Sequence, residues 1–219
     1  MAAPLLKICG LRDPAQAAAV AAMGVNAIGV IGVAGSPRWV APEQRQPIWQ
    51  AVAQVAPACF GVLVVVNPSD ADLPLLAEGG HRVVQLHGEE TPQRCAELRT
   101  RLQRPLWKAL RIRTAADLEA VRAYEPVVDA LLLDAWAADA RGGTGRSIPV
   151  VLLEGCAPAR PWWLAGGLGP ERLGQVLGRL QPFGLDASSG VETAPGVKDL
   201  ARVAAMVAAL SGSAATPAA

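Results

Sequence analysis

The sequence has little charge, few cysteines and no long apolar run, and each shortage closes off a class of function. Only 18% of the 219 residues are Asp, Glu, Lys or Arg. Twenty basic side chains stand against nineteen acidic ones, a formal charge of +1, and the cations are scattered rather than stacked in one segment. Such a chain carries no electrostatic footprint for nucleic acid. Apolar runs such as residues 60–66 are about seven residues long, far below the ~20 that a membrane-spanning helix needs, so no membrane span is expected. Cysteines stand at 9, 59, 95 and 156 with no Cys-x-x-Cys spacing, and there are two histidines to complete a metal site. Disulfides and structural zinc are therefore not expected. Neither a basic leader nor an apolar signal core precedes the strand-like Leu5-Leu6-Lys7-Ile8-Cys9, which points to a cytoplasmic protein.

What is present is apolar and periodic. At 52% hydrophobic, the chain can bury one sizeable core and falls in the size range of a single α/β barrel. Short β-rich runs recur at 5–9, 25–31, 60–66, 82–86, 106–110, 130–133, 162–165 and 183–186. Helical segments lie between them, clearest at Leu173, Val176, Leu177 and Leu180 and at Leu200, Val203, Ala204 and Val207. Strands that are continuously apolar are buried on both faces, as parallel strands under helices must be. Eight strand-then-helix units predict one (β/α)8 barrel over residues 1–210, followed by a disordered tail at 211–219. An open doubly wound sheet is the alternative, but no Gly-x-Gly-x-x-Gly follows the first strand. Cys59 opens an apolar strand and Cys95 shares a helical stripe with Leu98 and Leu102, so both read as core. Cys156 falls in a loop.

In such a barrel the chemistry sits at the C-terminal strand ends and the loops behind them. Those junctions are polar here. Strand 1 ends Lys7-Ile8-Cys9-Gly10, strand 4 ends Gln85-Leu86-His87-Gly88, and strand 6 ends on Asp134, with Gly142-Gly143-Thr144-Gly145 beyond it. Strand 7 runs into Gly166-Gly167, and strand 8 into Asp186-Ala187-Ser188-Ser189-Gly190. A phosphate needs several backbone N–H groups aimed at one spot, and glycine and serine permit that close approach. Gly166 and Gly167 before Pro170, with Ser188, Ser189 and Gly190 at a short helix, form the expected grip. Lys7 and Cys9 share strand parity, so both should point into the barrel while Leu6 and Ile8 face the helices. A nearby ammonium would raise the thiolate fraction of Cys9 and suit it to act as a base. Asp134, after Leu131-Leu132-Leu133, would be partly desolvated and suited to act as an acid.

Taken together, these motifs resemble the phosphoribosylanthranilate isomerase family of tryptophan biosynthesis. Lys7-Ile8-Cys9-Gly10-Leu11, Ser36-Pro37-Arg38, Val66-Asn67-Pro68-Ser69, Gln85-Leu86-His87-Gly88, Gly143-Thr144-Gly145, Leu164-Ala165-Gly166-Gly167-Leu168 and Asp186 through Glu192 carry the likeness. The resemblance implies a cofactor-independent Amadori rearrangement of a small phosphorylated substrate by a monomer or homodimer. It makes Asp134 the acid that opens the furanose and Cys9 the base that takes the C2′ proton. Arg38 would face the anthranilate carboxylate, a match of fork to carboxylate. Asp186, Gly166, Gly167, Ser188, Ser189 and Gly190 would bind substrate, and His87 takes no role. Two features depart from the family pattern: Ile148-Pro149-Val150 stands where an aromatic-Asp-Trp segment is usual, and Gly32 and Gly35 lie in a connection where a phenylalanine is common. The related isomerase of histidine biosynthesis, a bifunctional form and a non-catalytic phosphate-binding barrel are the alternatives. The first typically uses two aspartates, against which Cys9 stands.

Overall fold

In the computed structural model, which describes residues 3–135 and 147–213, eight parallel strands close into a barrel in sequence order. They are β1 (Leu5–Cys9), β2 (Ala27–Ile31), β3 (Phe60–Val65), β4 (Val83–Leu86), β5 (Leu106–Ile112), β6 (Ala130–Ala135), β7 (Trp162–Leu164) and β8 (Gly184–Ala187). The helices between them are α1 (Pro14–Ala22), α2 (Pro42–Val55), α3 (Leu73–Ala77), α4 (Pro92–Leu102), α5 (Ala115–Val121), α6 (Val150–Leu153) and α7 (Pro170–Leu177). A short antiparallel ribbon, β9 (Glu192–Ala194) with β10 (Val197–Lys198), follows β8 and leads into α8 (Leu200–Ser213). The last helix therefore takes up 211–213, which the sequence reading assigned to a tail; residues beyond 213 lie outside those described.

Local chemistry sets where helices begin. Proline opens α1, α2, α4 and α7, where its missing N–H costs no hydrogen bond and its φ is already helical. Asp13 and Thr91 cap α1 and α4 by accepting from the amides of Gln16 and Arg94.

Strand alternation then divides the core in two. Inward-facing Cys9, Ala27, Val62, Val64, Val83, Trp107, Ala109, Leu132 and Trp163 fill the barrel. Their neighbours, including Leu6, Ile8, Ile28, Leu63, Leu131 and Leu133, pack under the helices. Cys59 and Cys95 are buried, Cys95 beside Leu98 and Leu102 as the helical spacing required.

Candidate active site

Lys7 and Cys9 face inward at the end of β1. Lys7 is fully buried, and its Nζ donates to Oδ2 of Asp186 at 2.7 Å, its register partner on β8. Burial alone would drive the proton off Lys7, but the Asp186 carboxylate and the Cys9 thiol outweigh it and hold Lys7 above its ordinary value. The other Asp186 oxygen, Oδ1, is buried with no hydrogen-bond partner among the described residues. Burial pushes the Cys9 thiol up; Lys7 and Lys198 pull it down by less, and Asp186 adds to the rise. This reverses the expectation that Lys7 leaves Cys9 more ionised than an ordinary thiol. The ammonium is there, but it is paired with a carboxylate that opposes a second negative charge.

Asp134 lies near the end of β6, 6% exposed. Its Oδ1 accepts from the Ala135 amide at 2.8 Å, and its Oδ2 lies 3.1 Å from Nε2 of His87. The Gln85 amide nitrogen stands 3.3 Å from Nδ1 of the same ring. With that amide donating to Nδ1, the ring proton sits on Nε2 and is offered to Asp134. Asp186 is close enough to feel Lys7, Asp134 and His87, so the ends of β1, β4, β6 and β8 converge on one mouth.

Arg38, in the loop after β2, does not present an open fork. Its Nε donates to Glu192 Oε1 at 2.9 Å, and its Nη2 to Glu192 Oε2 at 2.6 Å. Nη1 meets no acceptor among the described residues. Lys198, also buried, donates to Glu192 at 2.6 Å and to the Cys9 carbonyl at 2.5 Å. Burial would raise the Glu192 carboxyl, but the two cations outweigh it and hold it below its ordinary value. The arginine is thus pre-oriented by a carboxylate of its own, leaving one terminal amino group for a ligand.

Loops 7 and 8 lie against each other, Gly190 beside Leu168. Gly166 and Gly167 take φ of +92° and +58°, and both carbonyls accept from Arg172 Nη1, at 2.8 and 3.3 Å. The amides of Gly166, Gly167 and Ser188 donate to no acceptor among the described residues. Unpaired amides beside the start of α7 are the arrangement an anion completes. The Ser188 hydroxyl is already committed to the Cys9 carbonyl at 3.0 Å, so from Ser188 only the amide is free. Ser189 and Gly190 begin a 3-10 turn, Ser189–Val191. A Cβ on Gly190 would lie 2.0 Å from the Leu168 carbonyl oxygen, so a side chain there would force the two loops apart. Gly142-Gly143-Thr144-Gly145 lies outside the described residues. Ile148 is buried, and Pro149 leads into α6. No group of three or more His, Cys, Asp or Glu among the described residues is placed to hold a metal.

Residues 6–209 match the family model for N-(5'phosphoribosyl)anthranilate (PRA) isomerase. The chain belongs to that family. An N-(5'-phosphoribosyl)anthranilate isomerase of Synechococcus elongatus is 45% identical over 207 residues, 94% of this chain and 95% of that one. The phosphoribosyl anthranilate isomerase of Thermotoga maritima superposes with a TM-score of 0.85 at 28% identity, over 95% of this chain and 99% of that one. Another solved phosphoribosyl anthranilate isomerase, in complex with reduced 1-(o-carboxyphenylamino)-1-deoxyribulose 5-phosphate, has a TM-score of 0.81 at 27% identity, covering 95% and 99%. Sequence reading quoted Glu192 only as part of a motif and missed Lys198 altogether; both sit on the β9–β10 ribbon. It left His87 unassigned, although the histidine lies at strand 4's polar end, where contact with another strand end was to be expected.

Proposed function

We propose that the chain converts N-(5'-phosphoribosyl)anthranilate to 1-(2-carboxyphenylamino)-1-deoxyribulose 5-phosphate, with Asp134 as acid and Cys9 as base. The enzyme is an isomerase of the tryptophan pathway. A proton from Asp134 to the furanose ring oxygen breaks the C1′–O4′ bond and leaves an iminium at C1′. Removal of the C2′ proton by the Cys9 thiolate gives an enolamine, which tautomerises to the 2′-ketone. One proton leaves the acid and one reaches the base, so the net reaction is an isomerisation. Each transfer is worth about 10²–10⁴ in rate. His87 holds the Asp134 carboxyl in place, and Lys7 with Asp186 fixes the charge beside Cys9. Gly166, Gly167 and Ser188 offer amides to the phosphate, with Ser189 and Gly190 shaping the turn behind them. Arg38 Nη1 faces the anthranilate carboxylate. We also infer a small phosphorylated substrate as the ligand, a monomer or homodimer as the working form, and the cytoplasm as the compartment. Among the described residues no helix is long and apolar enough to cross a membrane.

The observation that carries this reading is the convergence of a buried thiol and a buried carboxyl on a mouth whose loops 7 and 8 hold unpaired amides. Burial keeps the thiol protonated at neutral pH, so the thiolate is the minor form that reacts. The test is the loss of anthranilate-type substrate fluorescence in wild type and in Cys9→Ala. We expect wild type to turn over and the variant to lose about 10²–10⁴ of kcat. Wild-type turnover by Cys9→Ala would remove the base assignment, and no turnover by wild type would remove the activity.

A further inference from the structure

The mouth is not the only place where a charged group waits for a partner. Arg45, on α2, is 8% exposed and sits between the barrel and its helices. Its Nε donates to the Val40 carbonyl at 3.2 Å. Among the described residues Nη1 and Nη2 meet no acceptor, and no carboxylate forms an ion pair with the guanidinium. Burial lowers its pKa, and Glu78 and Glu43, near but unpaired, offset part of that. A buried cation without a counter-charge is costly and calls for an explanation.

The explanation lies in the adjoining space. Arg45 lines a cleft of about 300 Å³ whose other walls include Gly32, Val33, Val65, Val66, Leu75 and Asp72. Gly32 makes the room: a Cβ there would stand 2.9 Å from Arg45 Nη2. Asp72 forms no ion pair with Arg45; its Oδ2 is turned to the Ser69 amide at 2.7 Å and hydroxyl at 2.8 Å. Gly32 points away from the barrel interior, so this cleft is separate from the mouth that holds Cys9 and Asp134.

We propose that the cleft binds a small organic carboxylate with an apolar body, its carboxylate on the two terminal amino groups of Arg45. A planar fork suits a carboxylate in two parallel hydrogen bonds. The lining is mixed, and its Val33, Val65, Val66 and Leu75 side chains give an apolar body a surface to pack on that a bare inorganic anion would not use. The volume stands at the small end of the roughly 300–1,000 Å³ range of ligand pockets, enough for a ring-sized group.

The test uses the full chain and benzoate, followed through the backbone amide signals in two-dimensional NMR. Benzoate should shift the Gly32, Val65 and Val66 amides saturably, whereas neutral benzamide and inorganic phosphate should not. Arg45→Met should weaken that binding about tenfold or more, and Arg38→Met should leave it unchanged. Shifts confined to the amides around Arg38 and Gly166, equal binding by benzamide, phosphate in place of benzoate, or undiminished binding by Arg45→Met would each overturn the proposal. Should Arg45→Met not fold, Arg45→Lys keeps the charge and loses the fork. It is expected to bind several-fold more weakly, and unchanged affinity would refute the bidentate contact.

Discussion

In the lower half of the barrel interior Phe60, Val83, Trp107 and Trp163 fill the space, whereas the upper half carries Lys7, Gln85, Asp134 and Asp186. Parity is identical in both halves; only chemistry differs. Below, Trp107 and Trp163 stack with centroids 4.8 Å apart, and Phe60 and Phe183 close edge-on at 6.0 Å to either side. Such contacts stabilise by area and need no exact partner. Above, each buried polar group needs a specific partner, and among the described residues the matching is incomplete: Gln85 Oε1 and Asp186 Oδ1 are left without one, against the single Trp163 Nε1 below. The lower half keeps the barrel closed, and the upper half carries unmatched groups that a ligand can use.

The sharpest way to break this comparison is to exchange a group in the upper half without changing its shape. Asp134→Asn should lose about 10²–10⁴ of kcat while its melting temperature stays close to wild type. A variant that kept its rate would show that the upper half is only a polar core. The converse belongs below. Trp163 is fully buried, and Trp163→Ala should cost about 3–5 kcal/mol in urea unfolding. Activity per folded molecule should survive. If Trp163→Ala lost kcat as Asp134→Asn does, the two halves would not be separable.

A smaller effect probes the link between the mouth and the ribbon. Glu192 holds Arg38 on one side and Lys198 on the other, so Glu192→Gln should raise KM by about tenfold with a lesser change in kcat. Steady-state kinetics decides it, and an unchanged KM would mean that Arg38 needs no carboxylate to hold its fork. This pairing also marks where the sequence stopped being legible. All eight strands were readable within about two residues, because apolar runs and turn residues are local signals, and so was the shared inward direction of Lys7 and Cys9. The Arg38–Glu192 and Lys198–Cys9 contacts span 154 and 189 residues. No period or spacing encodes them; they exist only once β8 has closed on β1. The thiol of Cys9 was misjudged for the same reason. Parity showed the neighbouring cation, but the depth of burial and the nearby Asp186 carboxylate are properties of the closed barrel.

The remaining effect lies at the barrel's lower rim, away from the chemistry, at His81, just before β4. Two groups compete for His81 Nε2: Arg104 Nη1 at 2.8 Å, which can only donate, and the Leu76 carbonyl at 3.1 Å, which can only accept. Burial first, and Arg104 second, lower the His81 pKa to about 4, with the Leu76 carbonyl opposing them. The unfolded chain takes up this proton near the ordinary imidazole value of 6.5, the folded one only at about 4. Between those values the unfolded state binds more protons, so stability falls as the pH drops and is restored as it rises. The loss should be on the order of 2–3 kcal/mol by the time the folded value is passed. Urea titrations at neutral pH and near pH 4.5 measure it, and His81→Gln, which can still accept from Arg104 but does not titrate, should show a smaller loss than wild type. An equal loss in both would place the acid sensitivity in the carboxylates of the upper half instead.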